Sequence, residues 1–396
     1  MNTFGARAGA ARAAASAAAI SRLDHVISFA RGVPGPDCLP LEEIGDCTLA
    51  VLQRPERDAA QYGPPAGFPP LRELLAERHG VDPARVFVSN GSLQGLAFLW
   101  QRLLQGENKR VLVEAPTYDR PLKILQGLGA EVTGVPMDDG GLELDALERA
   151  LDEGPKPAFL YTIPTFQNPS GRTLLLERRR QLVDLAEAED LLIVEDDPYG
   201  LVRFEGDPLP SLLELAPAGR VIYSCSFSKT IAPGLRVGYL VLPPELAAAV
   251  EAIAVSTYVS PVIFTQAIVW EFLRTGLLEP NLQRAGGLLR ERRDAMLGAL
   301  EREFPDGASW SRPEGGYFIW LDLPGEVDAG ALLSEAEAAG VTFVKGTDFF
   351  AGPGGESSAR LAFSFAVPAE ITDGVGLVAE ALRKLLGRVA PLPATV

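Results

Sequence analysis

The sequence predicts an α/β protein, with a larger part built on a mainly parallel sheet between helices and a smaller α+β part after it. Three observations predict it. Short β-branched runs alternate with longer amphipathic segments, several of those runs are apolar on both faces, and the pattern changes character after about Leu273.

The elements follow in chain order. Residues 1–24 contain the alanine-rich run Ala6–Ala19, which lacks the leucine-rich core of a targeting segment and reads as a helix or frayed tail. Residues 25–50 read as an N-terminal contribution to the smaller part. Between residues 51 and 275 lie seven strand candidates: Arg85–Ser89, Arg110–Glu114, Glu131–Val135, Ala158–Thr162, Leu191–Asp196, Val221–Cys225 and Arg236–Val241. Amphipathic segments such as Leu93–Leu104 and Leu174–Glu189 separate them. In such sheets ligands bind beyond the strand ends, and the chemically distinctive residues of this chain fall there. From 276 to 387 come a long helical pattern through Leu288–Phe304 and the run Pro313-Glu314-Gly315-Gly316-Tyr317-Phe318, which enters a strand. A helix near Ala331–Ala339 and a strand at Arg360–Phe365 complete the smaller part. Residues 388–396 read as a proline-containing tail.

Composition narrows the function. A formal net charge of −16 argues against a broad surface for nucleic acid or anionic membrane. No stretch approaches the ~20 apolar residues of a membrane span. Cys38, Cys47 and Cys225 lack metal-ligand spacing, and their odd number suits a reducing compartment, so a cytoplasmic protein is expected. With only His25 and His79, a histidine-rich metal site or a histidine triad is not expected.

Lys229 is one of six lysines, in Ser226-Phe227-Ser228-Lys229-Thr230-Ile231-Ala232-Pro233-Gly234-Leu235-Arg236. An amine that attacks carbonyl carbon must lose its proton near neutral pH, through desolvation or nearby cations. Hydroxyls and a guanidinium around one amine suit a phosphorylated aldehyde; a surface lysine beside a turn is the plain alternative. A strand end followed by Asn90-Gly91-Ser92-Leu93 and then a helix makes an anion site, or merely a helix cap. Glu195-Asp196-Asp197-Pro198-Tyr199 ends an apolar strand. A carboxylate there stays charged only opposite a cation such as a pyridinium nitrogen, with Tyr199 in reach of a phenolic oxygen on that ring; helix caps or a metal pair are the alternatives. Gln167-Asn168-Pro169-Ser170-Gly171 presents the Asn168 amide to the same oxygen or is an ordinary turn, and Tyr118 stacks on a planar ring or packs in the core.

Together these motifs, with Pro313-Glu314-Gly315-Gly316-Tyr317-Phe318, resemble the fold-type I pyridoxal-phosphate enzymes. Within them the chain is similar to class I aminotransferases near the 2-aminoadipate and aromatic branch, over about Val26 to Leu386. The resemblance implies a Schiff-base role for Lys229, which also shuttles a proton, and a ring-nitrogen partner in Asp196. It implies that Tyr199 and Asn168 bond the ring's 3′-oxygen and that Tyr118 stacks on the ring. Gly91, Ser92, the backbone of Leu93, Ser226, Ser228 and Arg236 would hold the phosphate of pyridoxal 5′-phosphate. Arg360 would grip a substrate α-carboxylate, and Tyr62 would reach the phosphate of a neighbouring subunit, making a homodimer. Ala115-Pro116 and Asn168-Pro169 become candidate cis bonds.

One departure stands out. Relatives have a Gly-Gly pair where this chain reads Ser28-Phe29-Ala30-Arg31-Gly32-Val33-Pro34. Gly32 keeps one pocket-lining role, while Arg31 either reads an acidic substrate or cofactor group or turns away into an ion pair. The expected reaction is amino transfer between an α-amino acid and a 2-oxo acid. Elimination or replacement on an amino acid is the alternative, which Arg31 slightly favours. A ligand-sensing regulator is disfavoured by the acidic charge and by the short stretch ahead of Val26, too short for a winged-helix module.

Overall fold

The computed structural model describes residues 26–54, 58–216, 219–325 and 327–389. The expected segments 1–24 and 390–396 lie outside these. The last helix runs Pro368–Val389, so the chain is helical two residues into the stretch expected to be a tail.

All seven strand candidates form one sheet, joined by an eighth strand that sequence reading missed. Edge to edge it runs Val86–Ser89, Gly238–Val241, Val221–Ser226, Ile193–Asp196, Phe159–Thr162, Arg110–Ala115, Glu131–Asp138 and Gly141–Leu142. The five strands from Val221–Ser226 to Glu131–Asp138 are mutually parallel, while Gly238–Val241 runs against both neighbours. The eighth pairs two residues antiparallel to Met137 and Asp138, too few to show an alternating pattern.

Alternation explains how this sheet is buried on both sides. Leu112, Leu160 and Ile193 pack into one hydrophobic cluster, and Val111, Val113, Phe159, Tyr161 and Val194 into another. Successive side chains point to opposite faces, so both sets must be apolar once helices cover each face. The strands ending at Ser89, Ala115, Thr162, Asp196 and Ser226 finish on one edge, with Gly238 opposite both Ser89 and Ser226.

A four-stranded antiparallel sheet forms beside it, in the order Ser309–Trp310, Phe318–Asp322, Ser358–Ala362, Val344–Lys345. Helices Leu278–Glu303, Ala329–Ala338 and Pro368–Val389 contribute Leu300, Leu332 and Val375 to its core. Phe29 joins that core, whereas helix Leu41–Leu52 sends Cys47 and Val51 into the large sheet's cluster. Helix Leu278–Glu303 begins well before the predicted Leu288, because Pro280, Gly286 and Gly287 blur its helical pattern. Its early turn buries Asn281, whose Nδ2 donates to the Thr230 carbonyl at 2.7 Å.

Gly238 is required by close approach: a Cβ there would collide with the backbone N of Ser92. Gly238→Ala should therefore destabilise the protein by about 1–3 kcal/mol in urea titrations. Gly376→Ala, inside the last helix with nothing near the added methyl, should instead stabilise by about 0.5–1 kcal/mol.

Candidate active site

The shared edge of the large sheet opens into a cleft of about 610 Å³. It is lined by Ser92, Leu93, Tyr118, Asn168, Asp196, Tyr199, Ser226, Ser228, Lys229, Arg236, Arg360 and Gly32, which brings together most of the site residues expected from the sequence. Gly91 stands just outside that lining, in the N-cap position of helix Ser92–Leu103 with φ 91°.

Lys229 Nζ donates to the Gly32 carbonyl at 2.6 Å and lies 5.8 and 5.3 Å from the ring centres of Tyr199 and Tyr317. It has no carboxylate partner among the described residues. Burial pulls its pKa down to about 8, helped by the positive charges of Arg360 and Arg236.

Asp196 is buried, and each of its oxygens accepts one hydroxyl: Tyr161 at 2.8 Å and Ser224 at 2.9 Å. Burial raises its pKa to about 6 against those two bonds, while the neighbouring Asp197 raises it further. A cation placed in the cleft before it would reverse that rise. Sequence reading missed Tyr161 and Ser224. Ser224 stands directly across from Asp196 in the sheet register, which local patterns do not reveal.

At the helix start, Gly91 makes no side-chain cap, and a Cβ on it would collide with Arg236 Nη2. The two glycines, Gly91 and Gly238, thus bring a guanidinium against the first N–H groups of the helix. Arg236, itself at φ 53°, makes only long contacts, to Ser228 Oγ, the Pro233 carbonyl and the Asn90 carbonyl at 3.3–3.4 Å. Ser226 Oγ donates to Ser228 Oγ at 2.9 Å. Helix N–H groups, two hydroxyls and a guanidinium form a donor set that fits a phosphate.

Arg360 is 7% exposed and sits between rings, 4.3 Å from the Phe318 centre and 4.9 Å from that of Phe349. Its Nη1 donates to Asn168 Oδ1 at 2.8 Å and its Nη2 to the Ala30 carbonyl at 2.9 Å, while buried Nε has no partner. The remaining N–H groups suit a carboxylate. Tyr118 is largely buried, and burial with nearby Asp119 pushes its pKa up to about 12. Both Ala115-Pro116 and Asn168-Pro169 are cis.

Two expected positions lie elsewhere. Arg31 is exposed and rests on the Phe365 ring, 5.2 Å from its centre, and makes no ion pair among the described residues. Ala30, Gly32 and Val33 line the cleft and Arg31 does not. Tyr62 is 85% exposed and lines a separate groove of about 480 Å³ with Phe68, Ile263 and Trp270.

Residues 40–372 match the family described as aminotransferase class I and II. The chain is 38% identical to an aromatic-amino-acid aminotransferase of Thermococcus litoralis, over 91% of this chain and 88% of that one. It is 39% identical to a 2-aminoadipate transaminase of Thermus thermophilus, over 92% of each. Among solved structures it resembles an α-aminoadipate aminotransferase from Thermus thermophilus complexed with N-(5′-phosphopyridoxyl)-L-leucine. The TM-score is 0.88 at 37% identity, covering 93% of this chain and 95% of that one.

The neutral amine is the reactive form, so acylation of Lys229 in the cofactor-free protein should rise with pH and level off above about 8. Peptide mass spectrometry of a pH series reads that midpoint.

Proposed function

The chain belongs to the class I and II aminotransferases, enzymes that use pyridoxal phosphate to move an amino group from an α-amino acid to a 2-oxo acid, and from that premise we propose how its cleft divides the work. Pyridoxal phosphate supplies an aldehyde that condenses with amines and a ring that draws electrons from the bonds at the substrate's α-carbon. Ser92, Ser226, Ser228, Arg236 and the backbone at Gly91 and Leu93 hold the phosphate. Asp196 would hold the ring nitrogen protonated, Tyr199 and Asn168 would bond the ring's phenolic oxygen, and Tyr118 would pack on the ring. Lys229 Nζ, neutral at little cost, would take the proton from the α-carbon of the amino acid and hold it for return within the same cleft. Arg360 binds the α-carboxylate and fixes which bond at that carbon faces the ring.

The observation that carries this reading is one cleft holding a partly deprotonated lysine and a buried arginine with spare donors. Both substrates carry a carboxylate beside the reacting carbon, so one arginine serves both. The elimination alternative loses its motive, because Arg31 stands outside the cleft lining. The active unit in this proposal is a homodimer. Tyr62, with 85% exposure, adjoins Gly63, whose N–H donates to Ser260 Oγ between exposed Val259 and Val262, and a second copy would cover these side chains. Three buried free thiols suit a cytoplasmic location, and no helix among the described residues is long and apolar enough to cross a membrane.

Purified protein with pyridoxal phosphate, a panel of amino acids and 2-oxoglutarate should form glutamate, measured chromatographically, and Lys229→Ala should abolish it. Arg360→Lys should lower kcat/KM by about 2–4 kcal/mol, roughly 30- to 1,000-fold, because a point charge cannot replace the forked donor. Sedimentation should give twice the chain mass, and Tyr62→Ala should speed cofactor loss; a monomer that is fully active would end the dimer proposal.

A further inference from the structure

A carboxylate unused by the transfer reaction lies beneath the cleft loops. Glu114, in strand Arg110–Ala115, is 2% exposed and pairs with no cation among the described residues. Its Oε1 accepts from Thr162 Oγ1 at 2.5 Å. Its Oε2 accepts from the Ile163 N–H at 3.1 Å and from Gln167 Nε2 at 2.9 Å. Gln167 is fully buried and equally committed: Nε2 also donates to the Pro116 carbonyl at 2.8 Å, and Oε1 accepts the Ser170 N–H at 2.8 Å. Burial raises the Glu114 pKa to about 6, with the three hydrogen bonds pulling it back.

A buried charge without a counterion is costly, and apolar side chains of similar volume would fill this space with less penalty. What the pair joins explains its presence. Glu114 leads directly into the 115–118 loop, which ends at Tyr118, and Gln167 immediately precedes Asn168. Neither side chain lines the cleft. We propose that Glu114 and Gln167 are a positioning pair, which fixes the spacing between Tyr118 and Asn168 and, through Asn168 Oδ1, the orientation of Arg360. The proposal rests on the assignment of Tyr118 and Asn168 to the cofactor ring.

The chemistry is specific to a carboxylate facing an amide. In Glu114→Gln one acceptor oxygen becomes a donor, and it meets the Ile163 N–H, the Gln167 amide or the Thr162 hydroxyl. Only the hydroxyl can reverse its role. In Gln167→Met the volume stays and the hydrogen bonds go. Exchanging the two side chains, Glu114→Gln with Gln167→Glu, restores one donor facing one acceptor but sets a carboxylate against the Pro116 carbonyl, so the recovery is partial.

The test uses the holoenzyme and three readouts: the rate of cofactor loss on dilution, visible circular dichroism of the bound cofactor, and kcat with KM for the amino acid. Each single variant should lose cofactor about tenfold faster, with a weakened visible signal and a raised KM, and the exchange should recover part of all three. Folded variants with wild-type cofactor loss and wild-type visible signal would overturn the proposal, even if their Tm falls. Gln167→Met carries the test alone should Glu114→Gln fail to fold. Asn168→Ala and Tyr118→Ala separate the two levels. If these hold cofactor normally, the ring assignment itself fails. If they lose it while the pair variants do not, only the positioning role fails.

Discussion

The hydrogen bond from Arg360 Nη1 to Asn168 Oδ1 links the two sheets across the cleft. Arg360 lies in one of the two interior strands of the small sheet, opposite Trp320 on one side and Val344 on the other. Asn168 belongs to the loop leaving strand Phe159–Thr162 of the large one. A single bond therefore ties the group proposed to bind substrate to the group proposed to face the cofactor ring. The Ala30 carbonyl takes a second guanidinium hydrogen, and Phe318 and Phe349 confine its plane. With orientation fixed by the protein, the remaining donors are committed before any substrate arrives, which lowers the entropy cost of binding.

Four of the cleft's charges share a second property. Lys229 meets a carbonyl, Asp196 meets hydroxyls, Arg236 makes only long contacts, and Arg360 meets an amide oxygen and a carbonyl. None forms an ion pair among the described residues. With Arg120 and Lys123 against Asp119 and Asp348 at its rim, the cleft lining carries five cations and three carboxylates, so it is locally positive in a chain of net charge −16. In the proposed function a phosphate and a carboxylate would supply the missing anions, and a protonated ring nitrogen would supply the missing cation for Asp196. The protein alone carries this imbalance as lost stability, the usual trade at a binding site.

Much of this was legible in the sequence because strand ends and turn residues are local signals. Seven strand candidates were read within a few residues, and Lys229, Asp196, Asn168 and Arg360 fall into one cleft. What escaped was tertiary. Ser224 and Tyr161 reach Asp196 through sheet register and side-chain direction, neither of which has a one-dimensional signature. The two readings of Arg31 stayed open for a related reason. Sequence reading could place the residue beside the pocket, but it could not tell that the side chain would leave toward Phe365. The early turns of helix Leu278–Glu303 were hidden because tertiary contacts hold a stretch that helix propensity alone disfavours.

Glu114 and Asp196 show how surroundings, not residue type, assign a role. Both are buried carboxylates at the end of parallel strands, and burial raises the pKa of each to about 6. Glu114 is enclosed by a hydroxyl, a backbone N–H and an amide, all aimed at it from one neighbouring strand and loop. Asp196 receives only two hydroxyls and lines the cleft. An ionised carboxylate has about four acceptor sites, so Asp196 keeps capacity directed at whatever enters. The enclosed carboxylate can act only on the loops around it, and the open one can act on a ligand. A strand-end acid is thus a scaffold or a reactive partner according to how many donors the fold has already spent on it.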